Sequence, residues 1–286
     1  MTMPKRMSCT ALSLVGCFVL GACQRDGAPT KHVEDVDSPA AGQEPATAPP
    51  TEVRDPPGPA AAGAQPLDPA IFIPHRTRGG QLRLADEGLH DNPAAAGELL
   101  RRLDRETSPE MRIALVEALP RTGGDWLDAI VTRLAKEGEP AVRKAMVAIL
   151  PRAEPAAAVA GILLGLGDAD DQVRTEAALV AGSIPADVAA RRGLVEPLRK
   201  NLADGNGYVR AAAARSLGIL GDAGAFDALV PLLGDPASTV RLQTVRALGR
   251  IDSARAAQLP TVRSLRADAD PKVARAAAAL VDQAAD

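Results

Sequence analysis

From about Pro93 onward, apolar positions recur in a pattern too long for one helix and too regular for chance. Six residues serve as anchors: Met111, Val142, Val173, Val209, Val240 and Val273, at spacings of 31, 31, 36, 31 and 33. Eight positions after each anchor stands an apolar residue: Leu119, Leu150, Ala181, Leu217, Leu248 and Val281. Eleven positions before it stands another: Leu100, Val131, Ile162, Leu198, Leu229 and Val262. Apolar residues at 0, +4 and +8 form one stripe of a helix. Each period therefore predicts two helices, the second starting just before its anchor.

Local signals agree with that division. "SPEMR", "EPAVR" and "DPKVA" put a polar residue and then a proline where the second helix should begin, an N-cap followed by the first helical position. After the +8 position come Pro120, Pro151, Gly182, Gly218 and Gly249, expected to stop the helix. A single helical hairpin cannot bury both of its faces, whereas a stack of them makes one continuous core. The extra residues of the 36-residue period fall in "IPADVAARRGLVEPL" and should lengthen a loop or a first helix.

Polar positions repeat as well. Five before each anchor there is always an acid: Glu106, Glu137, Asp168, Asp204, Asp235, Asp268. One after it there is an arginine in five of the six units: Arg112, Arg143, Arg174, Arg210 and Arg241. The sixth unit has Ala274 there. At these residues the chain resembles the HEAT-repeat family, in particular its short, alanine-rich bacterial form. The resemblance runs from about Pro93 to Ala284. It implies an all-α fold, a right-handed α-solenoid of about six helix pairs. It also implies that the acids and arginines form a structural ladder along the inter-helix turns, with each guanidinium fork reaching turn carbonyls and carboxylates of its own or a neighbouring unit. The missing arginine suits a terminal unit with no further neighbour.

The N-terminal part has a different character. Lys5 and Arg6 precede the apolar run "MSCTALSLVGCFVLGA", too short for an ordinary membrane span. "LGAC", ending at Cys23, resembles the lipobox of a bacterial lipoprotein signal peptide. "LVGC", ending at Cys17, is a second match that would leave a shorter apolar run. The resemblance implies cleavage before Cys23, acylation of that cysteine with palmitate-type chains, and an N-terminal lipid holding the protein to a membrane. Gln24 resembles the pattern directing such proteins to the outer membrane, facing the periplasm. Residues 24 to about 69, rich in Pro, Ala, Gly and acid, have little to bury and read as a disordered tether with a typical reach of ~40 Å. "AIFIPHRTRGG" is more apolar and should pack on the start of the next domain. The expected division is a signal peptide over 1–22, a tether over 23–79 and a repeat domain over 80–286.

Composition narrows the chemistry. The hydrophobic share is 46% with only 2% aromatic residues, so alanine and leucine must fill the core. The net charge of −3 gives no reason to expect nucleic acid. Two of the three cysteines lie within the leader and the third is Cys23, which leaves no disulfide framework or thiol nucleophile. The histidines, His32, His75 and His90, all precede the repeats. Deoxyhypusine hydroxylase, a HEAT-like enzyme, binds iron through His-Glu pairs, and this chain has no His-Glu dipeptide. No metal, cofactor or catalytic residue is therefore expected. Trp126, at the start of a first helix, reads as packing.

What remains is a surface. In stacks of this family the second helices line the concave face, and positions −1, +3 and +6 should point away from the core stripe. Tyr208, Arg215, Gln243 and Arg246 then form a basic ridge with the chain's single tyrosine, the composition of an interface anchor. Such a ridge suits an acidic protein segment or an anionic envelope polymer. The function expected is a monomeric, membrane-anchored, non-enzymatic protein-binding scaffold in the cell envelope. The alternatives are a HEAT-like lyase or cofactor-binding protein, or a structural spacer without a specific ligand.

Overall fold

A computed structural model describes residues 74–77, 79–85, 88–185 and 193–284. Cys23, Cys17, His32, the leader and most of the tether lie outside the described residues. Six helix pairs follow one another. Units one to four are α1 (Pro93–Arg105) with α2 (Pro109–Ala118), α3 (Leu127–Leu134) with α4 (Pro140–Ile149), α5 (Pro155–Leu166) with α6 (Asp171–Ala181), and α7 (Val195–Asn201) with α8 (Gly207–Leu220). In unit five the short α9 (Phe226–Leu229) continues into a 3-10 turn, Val230–Gly234, before α10 (Ser238–Ile251). In unit six α11 (Ser253–Gln258) and α12 (Pro260–Ser264) precede α13 (Pro271–Gln283). The second helices pack on one another in series, α2 on α4, α4 on α6, α6 on α8, α8 on α10 and α10 on α13. The result is an α-solenoid.

The apolar positions read from the sequence are the ones the stack buries, with informative exceptions. Anchors Val142, Val173, Val209, Val240 and Val273 are fully buried, while Met111 in the first unit is half-buried. Leu119, Leu150, Ala181, Leu217 and Leu248 are fully buried at +8, but Val281 in the sixth unit is only half-buried. In the first helices of units one and two the buried residue lies one position earlier than the common phase. Leu99 and Ile130 are buried and Leu100 and Val131 half-buried. Trp126 is 5% exposed at the N-terminus of α3, within the core.

Helix starts follow their side chains. Ser108 Oγ accepts the Met111 N–H, and Asp170, Asn206 and Asp270 accept N–H groups of Gln172, Tyr208 and Lys272. Helix ends follow the sequence reading at Pro120, Pro151 and Gly182 and depart from it at the later glycines. The α-helix does give way at Leu119–Thr122 and Leu150–Arg152, where Pro120 and Pro151 stand. Gly218 and Gly249, however, lie inside α8 and α10, not at their ends. They are there for close approach. A Cβ on Gly218 would stand 2.5 Å from Ala247 Cα, and one on Gly249 would stand 3.0 Å from Leu280 Cδ1. The residue that ends α8 is Gly221, at φ 65° in the left-handed region.

Two strands precede the helices. β1 (Pro74–Arg76) pairs antiparallel with β2 (Leu82–Leu84), in the register His75 opposite Arg83. Leu84 and Leu89 are buried in the core, and β2 packs on α2. Pro74–Leu84 thus lies in and just beyond the more apolar stretch expected to pack on the start of the domain, although the expected division ran the tether to residue 79. The hairpin lies against α2 in the first unit. The described first helix of unit four, α7, spans seven residues. Residues 186–192 of that unit lie outside the described residues.

Candidate protein-binding face

The ladder residues define what is committed to the fold. Arg143 Nε and Nη2 donate to Asp168 of the next unit at 2.8 Å each, while its Nη1 donates to the carbonyls of Glu137 and Gly138 in its own turn at 3.1 and 3.0 Å. Arg174 repeats this with Asp204 and its own Asp168 and Ala169 carbonyls. Arg210 does so with Asp235 and the carbonyls of Asp204 and Gly205. Arg241 does so with Asp268 and the carbonyls of Asp235 and Pro236. Each of these four forks therefore spends its donors within two adjacent turns. In the first unit Arg112 pairs Glu137 through both terminal nitrogens, and its Nε is buried with no partner.

The acids are equally engaged. Besides its arginine, Asp168, Asp204, Asp235 and Asp268 each accept the backbone N–H two residues on, at 2.8 to 2.9 Å. Burial pushes the Asp168, Asp204 and Asp235 carboxyls up. The hydrogen bonds from arginine and backbone together outweigh it and hold all three below the usual carboxylate range. At Asp268 the Arg241 hydrogen bonds are the largest influence, again lowering it. Every ladder arginine points to the acid of the following unit.

The residues of the candidate ridge have a different standing. Tyr208 is 71% exposed at the first turn of α8. Arg215 and Arg246 are exposed on α8 and α10, and neither has an ion-pair partner among the described residues. Gln243 is half-buried. The +3 positions do not all face outward, because neighbouring helices cover small side chains there: Ala114, Ala145 and Ala212 are buried. The exposed line on the second helices instead runs through −1, +6 and +10.

That line holds cations the sequence reading passed over. Arg246 borders a groove between α10 and α13 with Arg250, Lys272 and Arg275. Tyr208, Arg215 and Gln243 lie outside its lining. The +10 position and the last unit lie outside the ridge expected from the sequence. The same helical period gives Arg250 at +10 of Val240 and Lys272 at −1 of Val273, whereas Arg275, at +2 of Val273, lies off that line. Elsewhere, His90 Nδ1 sits 2.9 Å from Asp91 on the surface, and His75 lines a cleft with Arg83, Arg121, Arg152 and Glu117. Among the described residues no cluster of three metal-ligating side chains occurs, and no helix is long and apolar enough to cross a membrane.

Known proteins place this architecture. The HEAT repeats family matches residues 195–281. A crystal structure of an engineered protein superposes with a TM-score of 0.51 at 21% identity, covering 67% of this chain and 96% of that one. A designed armadillo repeat protein in complex with the peptide (KR)4 gives 0.51 at 20% identity, covering 65% and 98%. The CpcE–CpcF complex of phycocyanin lyase from Nostoc sp. PCC7120 gives 0.47 at 24%, covering 55% and 64%. No curated protein matches the sequence. The chain is an α-solenoid of repeated helix pairs, similar over residues 195–281 to the HEAT repeats family.

Proposed function

We propose that this HEAT-like stack is a non-enzymatic scaffold of a bacterial cell envelope, held to the membrane by lipid on Cys23, that binds a protein partner along its second helices. A repeat solenoid of this kind is suited to protein binding. The observation that carries the reading is the division of labour among arginines. Those at +1 are consumed by carboxylates and turn carbonyls. Those at +6, Arg215 and Arg246, stand exposed on the second helices, as does Tyr208. Tyrosine and arginine on a rigid helical face are the residue types that anchor interfaces. The designed armadillo repeat protein in complex with the peptide (KR)4 supports the idea that such a stack accepts a peptide.

Crosslinking pull-down from membranes with the Tyr208→Ala/Arg246→Ala double variant tests the binding part. The expected result is a few-fold or greater loss of partner capture with helicity and melting unchanged. The same partners at the same yield from both proteins would leave a spacer as the better description. Cys23→Ala tests the anchor separately. It should block acylation and release the protein from membranes, and a variant that is still processed and membrane-bound would refute the lipid anchor.

A further inference from the structure

Resting on the reading of the second helices as a binding face, we propose that the groove between α10 and α13 takes an acidic peptide segment of a partner protein. Its carboxylates pair with Arg246, Arg250, Lys272 and Arg275, and its small apolar side chains lie on the groove floor.

The groove has a volume of about 540 Å³, and four of its ten lining residues are cationic with no carboxylate among them. All four cations are exposed. Among the described residues none is in an ion pair, and Arg275 spends only its Nε, on the Pro271 carbonyl at 3.2 Å. Such a cluster is unusual in this molecule, whose ladder arginines are all matched to acids. Like charges gathered round one concavity repel one another in the free protein and raise the local concentration of anions. An acidic occupant removes the repulsion and gains charge-assisted hydrogen bonds.

The floor decides between a peptide and a uniformly anionic polymer. It is formed by Val245, Gly249, Ala276 and Ala279 over the buried Leu280. Gly249 brings α13 close, and the alanines keep the floor open. A polymer charged at every unit leaves these carbon surfaces without a partner, whereas a peptide alternating acids with small apolar residues covers both. The spacing fits as well. Residues four apart on a helix, such as Arg246 and Arg250, stand about 6 Å apart, and packed helices lie about 8–10 Å apart. An extended peptide advances about 3.3 Å per residue, so acids two or three positions apart meet both intervals.

The test uses the full chain and fluorescence anisotropy with a labelled (DVA)4 peptide, its isosteric (NVA)4 control, and polyphosphate as an uncharacterised-polymer surrogate. The expected result is binding of (DVA)4 at least about tenfold tighter than (NVA)4, weakening steeply with salt. Arg250→Ala/Arg275→Ala should lower that affinity about tenfold or more with the melting temperature unchanged. No binding of (DVA)4 by the wild-type chain overturns the proposal. So does equal binding by the double variant, or binding of polyphosphate without binding of (DVA)4. If (DVA)4 binding survives Arg250→Ala/Arg275→Ala but falls in Tyr208→Ala/Arg215→Ala, the groove assignment fails while the second-helix face stands as the binding surface.

Discussion

Arg210 and Asp235 belong to different helix pairs, yet the Nε and Nη2 of the arginine meet the two carboxylate oxygens of the aspartate at 2.8 and 2.9 Å. The same guanidinium holds the Asp204 and Gly205 carbonyls of its own turn. One side chain thus ties a turn closed and fastens it to the next, and the arrangement recurs down the stack.

Removing that fork should destabilise the domain. With Arg210 and Asp235 side chains only 16% and 7% exposed, Arg210→Ala leaves a carboxylate and two carbonyls short of a donor. Loss of hydrogen bonds to a charged group costs about 1.5–3 kcal/mol. Urea unfolding should show a drop of that size, and Arg210→Lys should recover little, because an ammonium cannot reproduce the planar fork. Stability equal to wild type would mean the ladder contributes nothing.

The ladder also fixes an acid response. The carboxyls of Asp168, Asp204, Asp235 and Asp268 are all held below their ordinary values when folded. A depressed folded pKa contributes stability that is complete above the unfolded value of about 3.9. It is lost as pH falls through the folded values. Unfolding free energy measured across this range should fall steeply below about pH 4. Asp204→Asn should be less stable than wild type at neutral pH and converge toward it in acid. Parallel curves for the two proteins would contradict the linkage.

Two glycines, one inside α8 and one capping it, should respond differently to alanine. At Gly218 a new Cβ would stand 2.5 Å from the Ala247 backbone, so α8 and α10 must move apart. Overpacking of this kind costs about 1–3 kcal/mol. At Gly221 nothing stands within 4 Å, and only its positive φ resists substitution. The expected cost there is about 1 kcal/mol. Melting temperatures should therefore rank Gly218→Ala below Gly221→Ala.

The contrast between these glycines shows how far the sequence could be read. The stripe of Val142, Val173, Val209 and Val240 was legible because a core position repeats its chemistry in every unit. The acid and arginine of the ladder were legible for the same reason. Gly218 and Gly249 were misread as helix stops. A glycine that ends a helix and one that admits a neighbour are the same letter, and only the approach of Ala247 or Leu280 separates them. The hairpin carrying His75 and Arg83 was out of reach, since no local pattern states its pairing. The cations at Arg250, Lys272 and Arg275 do not repeat from unit to unit, so periodicity alone gave them no weight.

Substitutions on the exposed ridge should leave the fold alone. Tyr208→Ala with Arg246→Ala removes no ion pair and no buried side chain. Changes at such sites usually lie within about ±0.5 kcal/mol. Thermal unfolding of the double variant should overlay that of wild type, and a clear drop in melting temperature would assign this ridge to stability and not to binding.

The most direct measurement compares the two helix layers in place. A photo-crosslinking residue is introduced at Arg215, exposed on α8, and separately at Ala228, exposed on α9 in the first-helix layer. A binding scaffold that works through its second helices should give a discrete higher-mass adduct from position 215 and none from position 228. Adducts from both positions alike, from 228 alone, or from neither would contradict it.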